Sequence, residues 1–408
     1  MKIGIIREGK MPPDSRTPLT PAQCALIHRD FRIEIVIQSS PHRCFKDNEY
    51  VAEGIEIQED LSDCDALLGV KEIPTPQLIP DKAYFFFSHT IKKQARNRKL
   101  LQEILERHIT LIDYETLTNE KGERLIAFGK FAGMVGAHNA LWSYGKRSGY
   151  FDMKRMFECH DYAEAKEIYK TMNWPSVKIV VTGTGRVANG IVEVLNDMGI
   201  KRVSPHDFLK KRNIKAVYTQ LGSADYVVRK DGQPYNREDF HQHPHLYKSA
   251  FQPYLSTSDI LINGIFWNNQ SPAFFTLKDM SSPAFQISVI ADVTCDIAPD
   301  SSIPCTIRAS TIAQPVYGYD PHLLGETAPY QPGSVDVMAI DNLPNEMPRD
   351  ASTAFGQQFI DNILHEFIHG KESKVIQRAT IARDGHLTPP YEYLRDYVEN
   401  KEPISITS

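Results

Sequence analysis

Two residues of this chain stand where proton-transfer chemistry is done. Lys71 follows the apolar run Ala66–Val70, and His89 follows Ala83–Phe87 with one serine between. Both runs read as short buried strands, joined by a proline-rich loop. In open α/β sheets, ligands gather at the carboxyl ends of the strands. A lysine or a histidine alone after a strand is usually a surface residue. Carried to one edge by separate strands, the two together read as an acid–base pair.

The elements that must position them can be taken in order. Lys2–Glu8 is an apolar strand ending on Arg7 and Glu8. A proline-rich loop follows, with Asp14 and Arg16 in it. Thr20 then caps a helix from Pro21 to about His28, with proline at its first position. Phe31–Gln38 alternates as a strand. Lys92–Arg107 is a helix with Leu100, Leu101, Ile104 and Leu105 on one face, and its basic start is a solvated face. Ile109–Asp113 is a further strand, closed by Tyr114 and Glu115. Strands alternating with helices make a parallel, wound sheet. Arg7, Lys71, His89 and Glu115 then lie along one edge, with Arg16 in the loop leaving it. Cations, a base and a carboxylate converging there fit a small anionic substrate, because guanidinium groups grip carboxylates in a two-bond fork.

Gly122–Gly136 is glycine-rich. Opening as a strand, it would put Arg124 and Phe128 on one face. A helix then runs through about Lys146 as a crossover, and Phe151–Asn173 reads as a helical spacer. Val177–Gly183 is a β-branched strand, after which Gly183, Gly185 and Ala188 match G-x-G-x-x-[GA]. The next helix carries Val187, Ile191, Leu195 and Met198 on one face and stops at Gly199. Lys201–Asp207 returns as a second strand ending in an acid. Strand, glycine turn, helix, strand and acid together meet the context for dinucleotide binding. Gly183 permits the tight turn. Gly185 lets a pyrophosphate reach the helix N-terminus, beside Arg186 and Val187. Asp207 would accept from the adenosine ribose, which favours NAD, while Lys210, Lys211 and Arg212 beyond it would neutralise the 2′-phosphate of NADP.

Asp259–Phe266 and Gln286–Val293 read as later strands, and Asn263, Gly264 and Asp292 at their ends would carry the nicotinamide and its ribose. His241, His243 and His245 read as a surface loop and not a metal site. Tyr317–Ser334 reads as a long loop acting as a lid. Val335–Ile340 is a strand. Asp350 or Ser352 starts a helix to about His369, on which the chain returns to its first domain. Lys401–Ser408 is expected to fray.

A length of 408 residues asks for two domains. A net charge of −5, from 46 basic and 51 acidic residues, leaves no footprint for nucleic acid. No apolar run reaches the roughly 18 residues of a membrane span, and the N-terminus enters a strand pattern, not a signal peptide. The six cysteines are scattered without a CxxC, which fits a reduced, cytoplasmic chain without structural zinc.

Several stretches now resemble a known family. LGVKEIP, FFFSHTIKKQ, LIDYE, RLIAFGKFAGMVG, VTGTGRV, LINGIFWNNQSP and AIDNLPNEMPRDAS are similar to the lysine-forming saccharopine dehydrogenases, above all to the lysine–2-oxoglutarate reductase half of the bifunctional aminoadipic semialdehyde synthase. Alanine dehydrogenase and the soluble part of transhydrogenase are wider kin. The resemblance implies reversible reductive condensation of L-lysine with 2-oxoglutarate to saccharopine. It implies catalytic roles for Lys71 and His89, carboxylate binding by Arg16 and Arg124, packing by Phe128, tuning by Glu115, and a place for Asp341 near the nicotinamide ribose. Asp14 stands where some members have glutamate. Lysine chemistry needs a base near neutrality, and a lysine crowded by Arg7 and Arg16 is depressed towards it. The resemblance favours NADPH, against the NAD reading of Asp207.

The expected fold is α/β, with two Rossmann-like doubly wound domains and a cleft between them, the first domain discontinuous. The expected boundaries are 1–132, 133–340 and 341–408. The expected partners are the small molecules L-lysine, 2-oxoglutarate and saccharopine, with no nucleic acid, membrane or metal, in a monomer or homodimer. Two other readings stand beside this one. An alanine dehydrogenase-like enzyme would use ammonia as the amine, and a non-catalytic sensor would bind cofactor without turnover.

Overall fold

The computed structural model describes residues 1–369 and 373–401. The chain divides into two compact units, Met1–Ala127 with Pro348–Ser408, and Phe128–Met347. The tail from Glu402, expected to fray, lies outside the described residues.

Eight strands build the first unit: β1 (Lys2–Ile5), β2 (Glu34–Ile37), β3 (Glu56–Ile57), β4 (Ala66–Leu68), β5 (Ala83–Phe86), β6 (Thr110–Asp113) and, after the return of the chain, β17 (Thr380–Arg383) and β18 (His386–Leu387). Their order is β18-β17-β6-β5-β4-β1-β2-β3. The first six run parallel, and β17 lies antiparallel on β6. The strands of the expected site, β1, β4, β5 and β6, are therefore neighbours. Their apolar side chains Leu67, Tyr84, Phe86 and Leu111 pack in one core with Ile6, Leu101 and Ile104.

Thr20 caps the first helix as its sequence asks. Gln23 N donates to Thr20 Oγ1 at 3.3 Å, Thr20 N donates to Gln23 Oε1 at 3.0 Å, and Pro21 takes the first position. That helix runs to Phe31, and Arg32 turns the chain in the left-handed region, so Phe31 is helical and the strand starts only at Glu34. The helix expected from Lys92 starts at Ala95, after a 3-10 turn over Thr90–Lys92. The return helix starts at Pro348, ends at Phe359, and passes through a π-turn, Ile360–Leu364, into a short helix, His365–Ile368.

The second unit holds β7 (Lys178–Thr182), β8 (Lys201–Arg202), β9 (Val217–Leu221), β10 (Val227–Arg229), β11 (Tyr247–Ser249), β12 (Ile260–Asn263), β13 (Val289–Asp292), β14 (Tyr317–Asp320), β15 (Gly325–Thr327) and β16 (Val335–Met338). The main sheet has the order β15-β14-β16-β13-β12-β7-β9-β8. It is parallel from β16 to β8, and β10 and β11 form a separate ribbon.

Four expectations are corrected here. Gly122–Phe128 forms no strand, only a bridge between Thr118 and Arg124, and Phe128 caps the helix Gly129–Ser148. Tyr317–Ser334 is not a lid loop, because β14 and β15 pair within it as an antiparallel edge of the sheet. The histidine cluster lies on a short helix, Arg237–Gln242, and a following 3-10 turn, not in a loop. The spacer Phe151–Asn173 is helical only over Met156–Glu158 and Tyr162–Thr171.

The helix Gly129–Ser148 packs backbone to backbone on the helix Arg186–Asp197. A Cβ on Gly133 would fall 1.9 Å from Val187 O, and one on Gly190 would fall 2.0 Å from Lys130 O. Neither carbonyl can move without shifting its helix. Gly190→Ala should therefore cost about 1–3 kcal/mol of stability, read as a lowered urea midpoint. A midpoint equal to that of the parent would show that the helices are not locked this way.

Candidate active site

Glu8 organises the edge of the first sheet. One residue beyond Arg7, it turns inward from the end of β1 towards the end of β4. Its Oε1 accepts from Val70 N at 2.6 Å and its Oε2 from Lys71 N at 2.9 Å. Burial, with the charge of Asp14, pushes its carboxyl up to about 7 despite those two bonds. Arg7 points elsewhere and pairs with Glu59 on the surface, so it does not join the expected cluster.

Lys71 leaves the strand end that Glu8 holds. Its ammonium is pulled below its ordinary pKa by burial first and by the Arg16 charge second, with Asp14 opposing. Arg16 is itself buried and clamped by Asp14. Its Nε donates to Oδ1 at 2.9 Å and its Nη2 to Oδ2 at 2.6 Å, and both residues are 3% exposed. Arg16 thus keeps one face of its guanidinium on a protein carboxylate, and acts on Lys71 through its charge.

His89 is held from below. It adopts the left-handed region at φ 53°, between Ser88 and Thr90. Asp113, fully buried at the end of β6, accepts from Ser88 N at 3.0 Å, from Ser88 Oγ, and from Glu115 N at 2.7 Å. That one carboxylate ties the end of β5 to the end of β6. The imidazole lies near-parallel to Phe87, with ring centroids 6.3 Å apart. Its Nδ1 is 3.3 Å from Glu115 Oε2, and its Nε2 is 3.9 Å from Glu72 Oε1. Glu72 in turn accepts from Lys10 Nζ at 2.9 Å.

Glu115 is the hub of the cluster. Arg124 Nη2 donates to its Oε1 at 2.6 Å, and Lys92 Nζ lies 3.5 Å from the same atom. Burial raises its pKa, but the His89 bond and the charges of Lys92 and Arg124 outweigh burial and hold it at about 2. Lys71, His89, Arg16, Asp14, Glu115 and Arg124 therefore belong to the first unit's edge. Phe128 begins the second unit. Sequence reasoning missed Glu8, Glu72, Asp113 and Lys92. The pair Lys71-Glu72 after one strand was the available signal for Glu72.

The second unit carries the nucleotide motif. Gly183 has φ 102°, and a Cβ there would meet Gly264 O at 2.5 Å. Gly185 caps the helix Arg186–Asp197, and a Cβ there would touch nothing in the protein. No protein contact demands glycine at 185, and the open space there leaves room for a phosphate to approach the helix N-terminus. The exposed turn Thr184–Arg186 and the following half-buried Val187 fit a dinucleotide.

Asp207 is not at a strand end. β8 stops at Arg202, and Ser204 caps a helix, Pro205–Lys210, with Asp207 N donating to Ser204 Oγ at 3.1 Å. The Asp207 carboxylate accepts from Lys211 Nζ at 2.9 Å. Asn263 and Asp292 lie fully buried under the carboxyl ends of β12 and β13. Asn263 bonds Thr182, Ser302 and Asp292, and Asp292 also accepts from Thr294 and Thr306. Their side chains brace the strand ends from inside. Asp341 is exposed just beyond β16.

Two largely parallel wound sheets and a glycine turn make a Rossmann-like α/β fold. Solved L-alanine dehydrogenase superposes with a TM-score of 0.63 at 14% identity, over 98% of this chain and all of that one. The transhydrogenase from Sinorhizobium meliloti does so with 0.58 at 11%, over 95% of this chain and all of that one. Residues 4–135 match the family described as alanine dehydrogenase/PNT, N-terminal domain.

In sequence, the chain is similar to saccharopine dehydrogenases and aminoadipic semialdehyde synthases. It is 32% identical to alpha-aminoadipic semialdehyde synthase of Arabidopsis thaliana, over 96% of this chain and 41% of that protein. It is 30% identical to the mitochondrial synthase of Bos taurus, over 95% and 47%. The chain thus spans about half the length of these relatives. With the saccharopine dehydrogenase [NAD(+), L-lysine-forming] of Emericella nidulans it shares 27% identity, over 89% of this chain and 91% of that protein.

Glu8 gives a prediction in two parts. Glu8→Gln can serve only one of the two amides, which costs about 1–3 kcal/mol for the one left unpaired. The raised pKa adds a pH signature. The favourable contribution of protonated Glu8 is complete below the ordinary carboxylate range and is lost as pH rises through about 7. The difference in unfolding free energy between parent and Glu8→Gln should therefore change between pH 4.5 and 7. A constant difference across that range would contradict the burial of this carboxylate.

Proposed function

We propose that the chain catalyses the reversible, NADPH-dependent condensation of L-lysine with 2-oxoglutarate to saccharopine. The observation that carries this reading is the edge of the first sheet, where a depressed lysine and a histidine stand among Glu72, Glu115, Arg16 and Arg124. An acid–base pair with guanidinium groups is what an amine and a dicarboxylate need.

The chemistry has three proton steps. The ε-amine of lysine must lose a proton to attack the ketone, and the lowered pKa of Lys71 suits it to accept that proton. The carbinolamine must lose water to give the imine, and His89, oriented by Glu115, is placed to donate to that oxygen. Reduction of the imine carbon leaves an amine that takes up one further proton. When bound, the nicotinamide supplies the hydride. Glu115, kept ionised, orients the His89 ring through Nδ1. Arg124 and Arg16 would hold the carboxylates of 2-oxoglutarate, with Arg16 preset by Asp14.

The proposal of NADPH over NADH follows from the second unit. No acid ends β8, because Asp207 is turned into a helix and paired with Lys211. Arg202, Ser204 and Lys210 are exposed around that strand end and suit a 2′-phosphate. Cytoplasmic residence and a monomeric or homodimeric state complete the proposal.

The test is oxidation of NADPH or NADH, followed by absorbance, with 2-oxoglutarate and either lysine or ammonia. Turnover with lysine, and saccharopine in the product mixture, is expected, with NADPH preferred. Turnover only with ammonia would move the chain to the alanine dehydrogenase chemistry. Tight cofactor binding with neither amine turned over would make it a sensor.

A further inference from the structure

We propose that His365 and His369 form a surface chelate for a borderline divalent transition ion such as Ni²⁺ or Cu²⁺. The two histidines are four residues apart, one helical turn, and so share a face. They sit on the short helix His365–Ile368 and its C-cap, both exposed. Their Nε2 atoms lie 3.0 Å apart, one donating a hydrogen bond to the other that an ion would displace, with ring centroids 4.2 Å apart. With metal–nitrogen bonds of about 2.0–2.1 Å, two nitrogens that far apart subtend roughly 90–95° at the metal. That is nearer the right angle of a tetragonal or octahedral site than the wider angle of tetrahedral zinc, which favours Ni²⁺ or Cu²⁺.

The spacing His365-Glu366-x-x-His369 is that of zinc hydrolases, but the geometry excludes that reading. Glu366 accepts from Ser373 Oγ at 2.5 Å and is engaged there. Among the described residues, no group of three or more His, Cys, Asp or Glu could hold a metal. Two imidazoles hold the ion and water fills its other positions. The second histidine cluster does not compete. The His243 and His245 rings are 6.2 Å apart and nearly perpendicular, and His243 Nδ1 lies 3.4 Å from Asp239.

The π-turn Ile360–Leu364 precedes this helix and sets its phase. Phe367 faces Phe85 on β5, with centroids 4.9 Å apart, while the histidines face solvent. A bound ion would cross-link the helical turn that carries Phe367, and so stabilise its packing on β5.

The experiment is isothermal titration of the tag-free full chain with NiCl₂, with a parallel thermal unfolding series. One saturable site per chain in the micromolar range is expected, with a raised unfolding midpoint. His365→Gln and His369→Gln should each weaken binding at least about tenfold, while His243→Gln should leave it unchanged. Mg²⁺, which prefers oxygen ligands, should give no midpoint shift. Both substitutions are at exposed positions, and circular dichroism checks their folding; if one variant fails to fold, the other decides. Absence of a saturable site below millimolar Ni²⁺, or binding by both variants as tight as that of the parent, would overturn the proposal.

Discussion

The direction in which Lys71 leaves the sheet is set by one carboxylate. Glu8 reaches from the end of β1 to the end of β4 and takes the amides of Val70 and Lys71, one on each oxygen. A strand end has free amides, and an acid that satisfies two of them fixes the next residue in place. Asp113 does the same on the other side, binding Ser88 and Glu115 so that β5 and β6 end in register. Between these two anchors stand Lys71, His89 and Glu115. The anchors carry raised pKa values because they are buried, while Glu115 is lowered because its cations outweigh burial.

Much of this edge was legible in the sequence because residue type and strand end coincide. Lys71, His89 and Glu115 follow apolar runs, and the parallel order puts those runs side by side. What was not legible follows from side-chain direction. Arg7 and Glu8 are adjacent, and successive side chains past a strand end point to opposite sides. The arginine, which looked like the functional one, pairs with Glu59 outside, and the glutamate goes in. Asp207 failed for a different reason. Ser204, Pro205 and Asp207 occupy the cap, first and third positions of a helix, a signal present in the sequence, and it overrides the strand that an acid at that distance suggested. In Tyr317–Ser334, glycine and proline concealed a hairpin whose Tyr317 and Tyr319 are buried.

The second unit shows the same division between bracing and binding. Asn263 and Asp292 were read as cofactor ligands from their place at strand ends. Their side chains are committed to Thr182, Ser302, Thr294 and Thr306. They make the strand ends rigid, while the turn at Gly185 stays exposed. Gly133 and Gly190 then fix how the nucleotide helix lies against its neighbour.

The central claim is that Lys71 moves a proton for the amine substrate. The most direct measurement is single-turnover NADPH consumption by Lys71→Met with lysine and 2-oxoglutarate, repeated with a small primary amine added. The account predicts a rate lower by about 10²–10⁴-fold, partly restored by the amine, with cofactor binding intact. A rate close to that of the parent, or a loss that tracks weakened cofactor binding, would contradict it.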